Sequence, residues 1–195
     1  MVDTLSLNGA WTLEEACGVQ QIPAQVPGSV LNDLTNNHLI PDPFVGENEL
    51  ITTPLFDRDY AYQRTFQVNA AFLAREHVEL LFEGLDTLAT VYVNGQEIGK
   101  ADNMHRSWRF DVKRALHSGE NRLRVVLASP NQFLKKAIAD HPDVTYEAVG
   151  TMRGNFALRK AHCMFGWDWG PQLPDAGIWR PVSLESWNGA RLAEV

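Results

Sequence analysis

Apolar and polar residues alternate through the middle of the chain with the two-residue period of a half-buried strand. In residues 60–68, Tyr60, Tyr62, Phe66 and Val68 fall on one face and Gln63, Thr65 and Gln67 on the other. Val78, Leu80 and Phe82 alternate with Glu79 and Glu83, and Trp108, Phe110 and Val112 repeat the pattern, as do Leu123, Val125 and Leu127. Thr90-Val91-Tyr92-Val93 runs into Asn94-Gly95 and then Gln96-Glu97-Ile98. Asn-Gly between two such runs is the strongest short hairpin signal, because both turn residues need positive φ. A last run from Trp179 to Trp187 closes the series. Short, evenly spaced strands joined by tight turns predict an all-β, antiparallel β-sandwich.

Helices are few in this pattern. Ser29 is placed to cap a short helix over 30–36, with Asp33 in its first turn. Ser129-Pro130 supplies an N-cap and a first helical residue for a segment reaching about Ala139, which must stop before His141-Pro142. One or two short helices are therefore expected. Residues 37–58, rich in proline and acids, and 140–178, rich in glycine, show no clear period. Irregular stretches of that length inside a compact domain are usually functional or packed on something else.

The second irregular stretch holds Trp167-Asp168-Trp169-Gly170-Pro171. Indoles offer flat apolar faces to the C–H side of a pyranose, and an ionised carboxylate accepts hydrogen bonds from two neighbouring hydroxyls. A sugar-contact segment is one reading. The other is a packed aromatic pair, with the aspartate closing a turn. Trp11, Trp108, Trp179 and Trp187 sit at strand positions and read as core or domain-contact residues. Arg64, on the apolar side of its strand, reads as a buried ion-pair partner or a snorkelling strand-end residue. His38 and His105 have no evident orienting partner and are left unassigned.

Composition narrows the function classes. The chain has 195 residues, 45% of them hydrophobic, enough for one sizeable core. Its 17 Lys+Arg against 24 Asp+Glu leave a formal charge of −7, which argues against nucleic acid and anionic membrane as partners. Cys17 and Cys163 are far apart and form no C-x-x-C pair, so buried or half-buried thiols in a reducing compartment are expected. His162 beside Cys163 lacks further ligands at recognisable spacing; no metal and no cofactor is expected. No stretch is long and apolar enough to span a bilayer. The opening Met1-Val2-Asp3-Thr4-Leu5 lacks the regions of a signal peptide, which points to a cytoplasmic protein.

Further residues carry a family resemblance. Val26-Pro27-Gly28-Ser29-Val30, the run Leu39–Glu49 with Asp42-Pro43-Phe44-Val45-Gly46-Glu47-Asn48-Glu49, and Tyr62-Gln63-Arg64-Thr65-Phe66 resemble the opening of β-mannosidases of glycoside hydrolase family 2. So do Val91-Tyr92-Val93-Asn94-Gly95, Arg159-Lys160, Phe165-Gly166-Trp167-Asp168-Trp169-Gly170-Pro171 and Gly177-Ile178-Trp179-Arg180-Pro181-Val182. The resemblance covers the chain in order, and its most specific parts are the 42–49 loop and the Trp-Asp-Trp segment.

That resemblance implies an N-terminal jelly roll, similar to galactose-binding domains, over residues 1–187, with 188–195 beginning a linker to a following domain. It also implies a (β/α)₈ catalytic barrel elsewhere in the polypeptide, acting on a β-mannoside substrate. A loop of this first domain would complete the subsite for the terminal mannose, making Trp167, Asp168 and Trp169 the substrate-binding residues. Arg159 and Lys160, just upstream, would buttress Asp168 by charge-assisted hydrogen bonds or make ordinary surface or domain-interface ion pairs, with Arg159 the supporting residue.

Retaining glycosidases use two carboxyl groups about 5–5.5 Å apart, and in barrels these sit at strand ends. No strand–helix repeat is present here. The pairs Glu47/Glu49 and Asp57/Asp59 read as solvated or turn-forming groups, so no catalytic residue is expected and the chain alone is expected to be inactive. Two other readings stand beside this one: a stand-alone carbohydrate-binding module, and a structural domain of another family 2 enzyme such as an exo-β-glucosaminidase.

Overall fold

The computed structural model describes residues 1–16, 18, 20–144, 148–167 and 170–192. Three strands precede the first that the alternation pattern predicts: β1 (Asp3–Ser6), β2 (Gly9–Glu15) and β3 (Gln21–Val26). The expected strands come next as β4 (Tyr60–Val68), β5 (His77–Phe82), β6 (Ala89–Val93), β7 (Gln96–Ala101), β8 (Trp108–Asp111) and β9 (Gly119–Leu127). A short pair, β10 (Phe165–Trp167) and β11 (Gly170–Gln172), lies within the segment that shows no period, and β12 (Val182–Trp187) ends the series.

Two antiparallel sheets form the sandwich. One has the order β3-β2-β4-β9-β6-β7 and the other β1-β12-β5-β8. The longest ladder pairs β4 with β9, from Tyr60↔Leu127 to Val68↔Gly119. It turns Tyr62, Phe66, Leu123 and Val125 inward, where they meet Leu80, Phe82 and Leu184 of the opposite sheet. Burying such side chains contributes roughly 1.5–3 kcal/mol each. Asn94 (φ 51°) and Gly95 (φ 83°) make the left-handed turn that joins β6 to β7. The Asn94 side chain donates to the Ala115 carbonyl and accepts from the Arg122 amide, both at 2.8 Å, so the turn is tied to its neighbours.

Among the described residues there are four short α-helices: α1 (Val30–Asn36), α2 (Asn48–Thr52), α3 (Ala70–Leu73) and α4 (Pro130–Asp140). The two expected ones are α1 and α4, and their caps fall at the expected serines. The Ser29 hydroxyl accepts from the Asn32 amide and the Ser129 hydroxyl from the Gln132 amide. Among the described residues Arg64 has no ion-pair partner, and it does not snorkel to solvent. Its guanidinium turns back on the chain and donates to the carbonyls of Leu7 and Asn8 at 2.7 and 2.6 Å. Trp11 and Trp187 are buried as expected, and Trp108 and Trp179 are half-buried. Cys163 is an exposed free thiol rather than a buried one, because its 3₁₀ turn (His162–Met164) lies on the surface; Cys17 lies outside the described residues.

Candidate functional site

Trp167, the first residue of the Trp-Asp-Trp segment, ends β10 of the β10–β11 hairpin. The ladder pairs Phe165 with Gln172 and Trp167 with Gly170. Asp168 and Trp169, the two residues between them in sequence, lie outside the described residues. Trp167 is 50% exposed, so its indole keeps a face towards solvent. A β-carbon on Gly150, which has φ +85°, would lie 3.4 Å from Cδ1 of that ring, so the indole rests against a position with no side chain.

An isolated two-stranded hairpin is marginally stable in water, so this one needs anchors. Phe165 is fully buried in a satellite core with Leu134 of α4 and Leu158. Its carbonyl accepts from the Met152 amide at 2.9 Å. Gly166 has φ +79°, and a β-carbon there would stand 2.5 Å from Cγ of Gln172. On the β11 side, the Gln172 amide donates to Oε1 of Glu49 at 2.6 Å, and Leu173 packs with Leu31 and Phe56. The 42–57 region therefore braces the hairpin.

The feet of the hairpin segment meet at a buried charge. Lys160, upstream, is 1% exposed and Asp86 is 4% exposed. The ammonium donates to the Asp86 carboxylate and to the carbonyl of Asp175, downstream of the hairpin. Main-chain bonds between Asp86 and Gly177, at 2.9 and 2.8 Å, fix the same corner. Burial pulls the Lys160 ammonium below the usual lysine range, against the opposing attraction of Asp86. Lys160 is thus not the surface or interface ion-pair residue expected from its neighbour. Alternation along 158–160 turns it inward with Leu158, while Arg159 is exposed. The main chain of Arg159 bridges to Asn103 and accepts from the Met104 amide at 3.0 Å.

Two further buried carboxyls hold neighbouring loops. Asp175 accepts from the amides of Leu31 (3.0 Å) and Ala176 (2.7 Å). Burial pushes its carboxyl up to about 6, with hydrogen bonds from Ser29, Ala176 and Leu31 pulling the other way. Asp33 accepts from the Gln25 amide at 3.0 Å and the Tyr62 hydroxyl at 2.7 Å, and burial raises it as well. Nothing in the sequence around Asp33, Asp86 or Asp175 marks them as buried; Tyr62, Lys160 and the Leu31 amide, which they meet, lie 29, 74 and 144 residues away.

Three members of the i, i+2 acidic pairs take architectural parts, while Glu47 is exposed. Asp57 is paired with Lys135 at 3.1 Å, Asp59 accepts from the Ser129 amide at 2.7 Å, and Glu49 takes the Gln172 amide. Among the described residues no group of three or more His, Cys, Asp and Glu side chains is placed to hold a metal ion. No described helix is long and apolar enough to cross a membrane. The outer face of the six-stranded sheet carries an open depression of about 750 Å³, lined by Thr12, Gln63, Thr65, Asn94, Glu120 and Arg122 among others. Gln63 accepts from Arg122 there, and Arg124 of the same face pairs with Glu14 at 3.1 Å.

Two antiparallel sheets, one four-stranded and one six-stranded, define the fold as a β-sandwich. The chain belongs to the glycosyl hydrolase 2 galactose-binding domain-like family, whose model matches residues 11–180. A crystal structure of a β-D-mannosidase from Dictyoglomus thermophilum is similar at 43% identity and a TM-score of 0.94, over 99% of this chain and 24% of that one. The β-mannosidase of Bos taurus is 35% identical over 98% of this chain and 22% of its own length. An exo-chitosanase from Amycolatopsis orientalis, at 17% identity and a TM-score of 0.67, shares the fold. The chain spans about a fifth of the length of the curated relatives it matches.

Proposed function

We propose that this chain is the amino-terminal domain of a β-mannosidase, a retaining exo-glycosidase that removes terminal non-reducing β-D-mannose. In this reading Trp167, Asp168 and Trp169 form one wall of the mannose subsite. The two carboxyl groups that cleave the bond lie on a catalytic barrel outside this chain, and the chain alone is inactive. The observation that carries the proposal is the 43% identity to a β-D-mannosidase over 99% of this chain, matching 24% of that enzyme. Residues 1–187 act as the domain and 188–195 begin the connection to the next one. Arg159, next to the buried Lys160, supports the segment from outside.

Exposed apolar side chains support a covering partner. Phe44, Val45, Leu50 and Ile51 are 59–72% exposed on the loop that also carries Glu49. Apolar side chains grouped in this way mark interaction surfaces, and the remainder of the polypeptide is the occupant proposed here. Scarce cysteine and the exposed thiol of Cys163 favour a reducing, cytoplasmic setting.

Two measurements test the reading. In the longer enzyme, Asp168→Ala is expected to lower kcat/KM on a terminal β-mannoside at least about tenfold, roughly 1.4 kcal/mol of transition-state binding. A folded variant with unchanged kcat/KM overturns the subsite assignment. Calorimetry of the chain with mannose is expected to show little or no heat, because one wall of a pocket does not enclose a ligand. Firm binding would favour a stand-alone carbohydrate-binding module using the open face of the six-stranded sheet.

A further inference from the structure

The hairpin that bears the proposed mannose wall is short, and its grip on the sandwich is unequal on its two sides. β10 is held through a fully buried aromatic ring, Phe165, whereas β11 is Gly170-Pro171-Gln172, with no large apolar side chain. A proline in β11 also removes one main-chain donor from that strand. The β11 side is met instead by a carboxylate delivered from 123 residues away: Oε1 of Glu49, 2.6 Å from the Gln172 amide. A charge-assisted bond of that length is roughly twice as strong as a neutral one.

The loop that delivers Glu49 is built to hold it still. Asp42 accepts from the Phe44 amide at 2.9 Å, and the Asn48 side chain donates back to the Asp42 carbonyl at 2.8 Å. The main-chain carbonyl of Glu49 itself accepts from the hydroxyls of Thr52 and Thr53, at 3.0 and 2.9 Å. Thr52 is fully buried. One turn further on, Phe56 joins Leu31 and Leu173 in a common apolar cluster, so the residue after Gln172 is anchored to the same loop. The backbone that carries Glu49 is therefore tied down, and its carboxylate is aimed at one backbone amide on the hairpin.

We propose that Glu49 is a positioning residue for sugar recognition: its carboxylate clamps β11 through the Gln172 amide and so positions the hairpin that carries Trp167 for a terminal mannose. The proposal rests on the mannose-subsite reading and deepens it. Glu49 does not touch the sugar; it acts through the hairpin. A glutamine at this position keeps an acceptor oxygen at the same reach, while an alanine removes it.

The clamp and its consequence are tested separately. In this chain, amide hydrogen exchange of Gln172 is expected to quicken at least about tenfold in Glu49→Ala and to stay within about threefold of the parent in Glu49→Gln, since loss of one hydrogen bond frees the amide. Equal exchange in all three proteins would refute the clamp. In the longer enzyme, Glu49→Ala is expected to lower kcat/KM on a terminal β-mannoside at least about tenfold, with Glu49→Gln restoring most of it. Added to Asp168→Ala, it should cost less than about threefold more, because two residues acting through one contact are not additive.

Full additivity of the two losses would overturn the positioning role, since a general destabilisation adds. Accelerated exchange in Glu49→Ala together with unchanged kcat/KM would overturn it too, provided Asp168→Ala still reduces activity. If Asp168→Ala is itself without effect, the subsite reading falls and the recognition role falls with it; the exchange data then still report whether the clamp exists.

Discussion

Replacing Lys160 by methionine keeps an unbranched side chain only one heavy atom shorter and removes its charge. The ammonium is 1% exposed and its partner Asp86 4% exposed, so neither group has solvent to fall back on. In Lys160→Met the Asp86 carboxylate keeps a hydroxyl donor from Thr87 but loses its counter-ion, and the Asp175 carbonyl loses a donor. Breaking a buried pair from one side costs about 3–5 kcal/mol, because the remaining charge is stranded in a low dielectric. Taking about 4 kcal/mol and a urea m-value of about 2 kcal/mol per molar, the unfolding midpoint should fall by about 2 M. Chemical denaturation of this chain at neutral pH, followed by tryptophan fluorescence, reads that shift. Adding Asp86→Asn to Lys160→Met removes the stranded charge and should recover at least half of the loss. A single-variant loss below about 1 kcal/mol, or a double variant no more stable than the single one, would refute the buried-charge account.

Asp175 titrates at about 6 in the folded chain against a reference of 3.8. The folded state thus holds the proton more tightly, so its contribution is full below about pH 4 and is lost as pH rises through 6. Relative to Asp175→Asn, the parent should lose up to about 3 kcal/mol across that window; parallel stability–pH curves for the two proteins would contradict this. Tyr62→Phe removes the 2.7 Å bond to Asp33 and leaves a buried carboxylate oxygen unpaired, for an expected loss of about 1–3 kcal/mol by denaturation. A loss within error would show that water or another donor fills the place. Gly177→Ala sets a β-carbon 2.4 Å from the Gly28 carbonyl, so backbone must move and a drop of at least about 1–3 kcal/mol is expected. An unchanged melting temperature would mean that this corner yields without cost.

Which parts of the fold can be read from the chain depends on how each part is stabilised. The strands from Tyr60 to Leu127 bury one face each, so the two-residue period is written directly into their side chains. β3 hides the same alternation: Ile22, Ala24 and Val26 turn inward while Gln21, Pro23 and Gln25 face out. Proline is tolerated because β3 is the sheet edge, where an amide needs no partner, yet in sequence it argues against a strand. α2 has five residues, too few for a helical period to show. The Trp-Asp-Trp segment stood out through residue chemistry and family resemblance. The means of holding it were not legible, since Lys160 meets Asp86 across 74 residues and Glu49 meets a main-chain amide that has no side-chain signature.

The described carboxylates near the hairpin share a property that bears on what this chain can do. Asp86 holds an ammonium, Asp175 and Asp33 take backbone amides and a phenol, and Glu49 takes the Gln172 amide. Each is fixed on a donor belonging to the scaffold. A nucleophile needs an approachable lone pair aimed at the reacting carbon, and an acid/base group needs a proton that can leave and return. Groups already committed to amides, a phenol and a buried ammonium meet neither need. Their arrangement does meet a different requirement. A wall that meets a sugar must hold its geometry to within a fraction of an ångström, and a hairpin with three residues per strand cannot hold itself. Lys160 and Asp175 at its feet, Phe165 beneath one strand and Glu49 against the other supply that rigidity. In the mannose-subsite reading proposed above, these acids would serve recognition by keeping a surface in place.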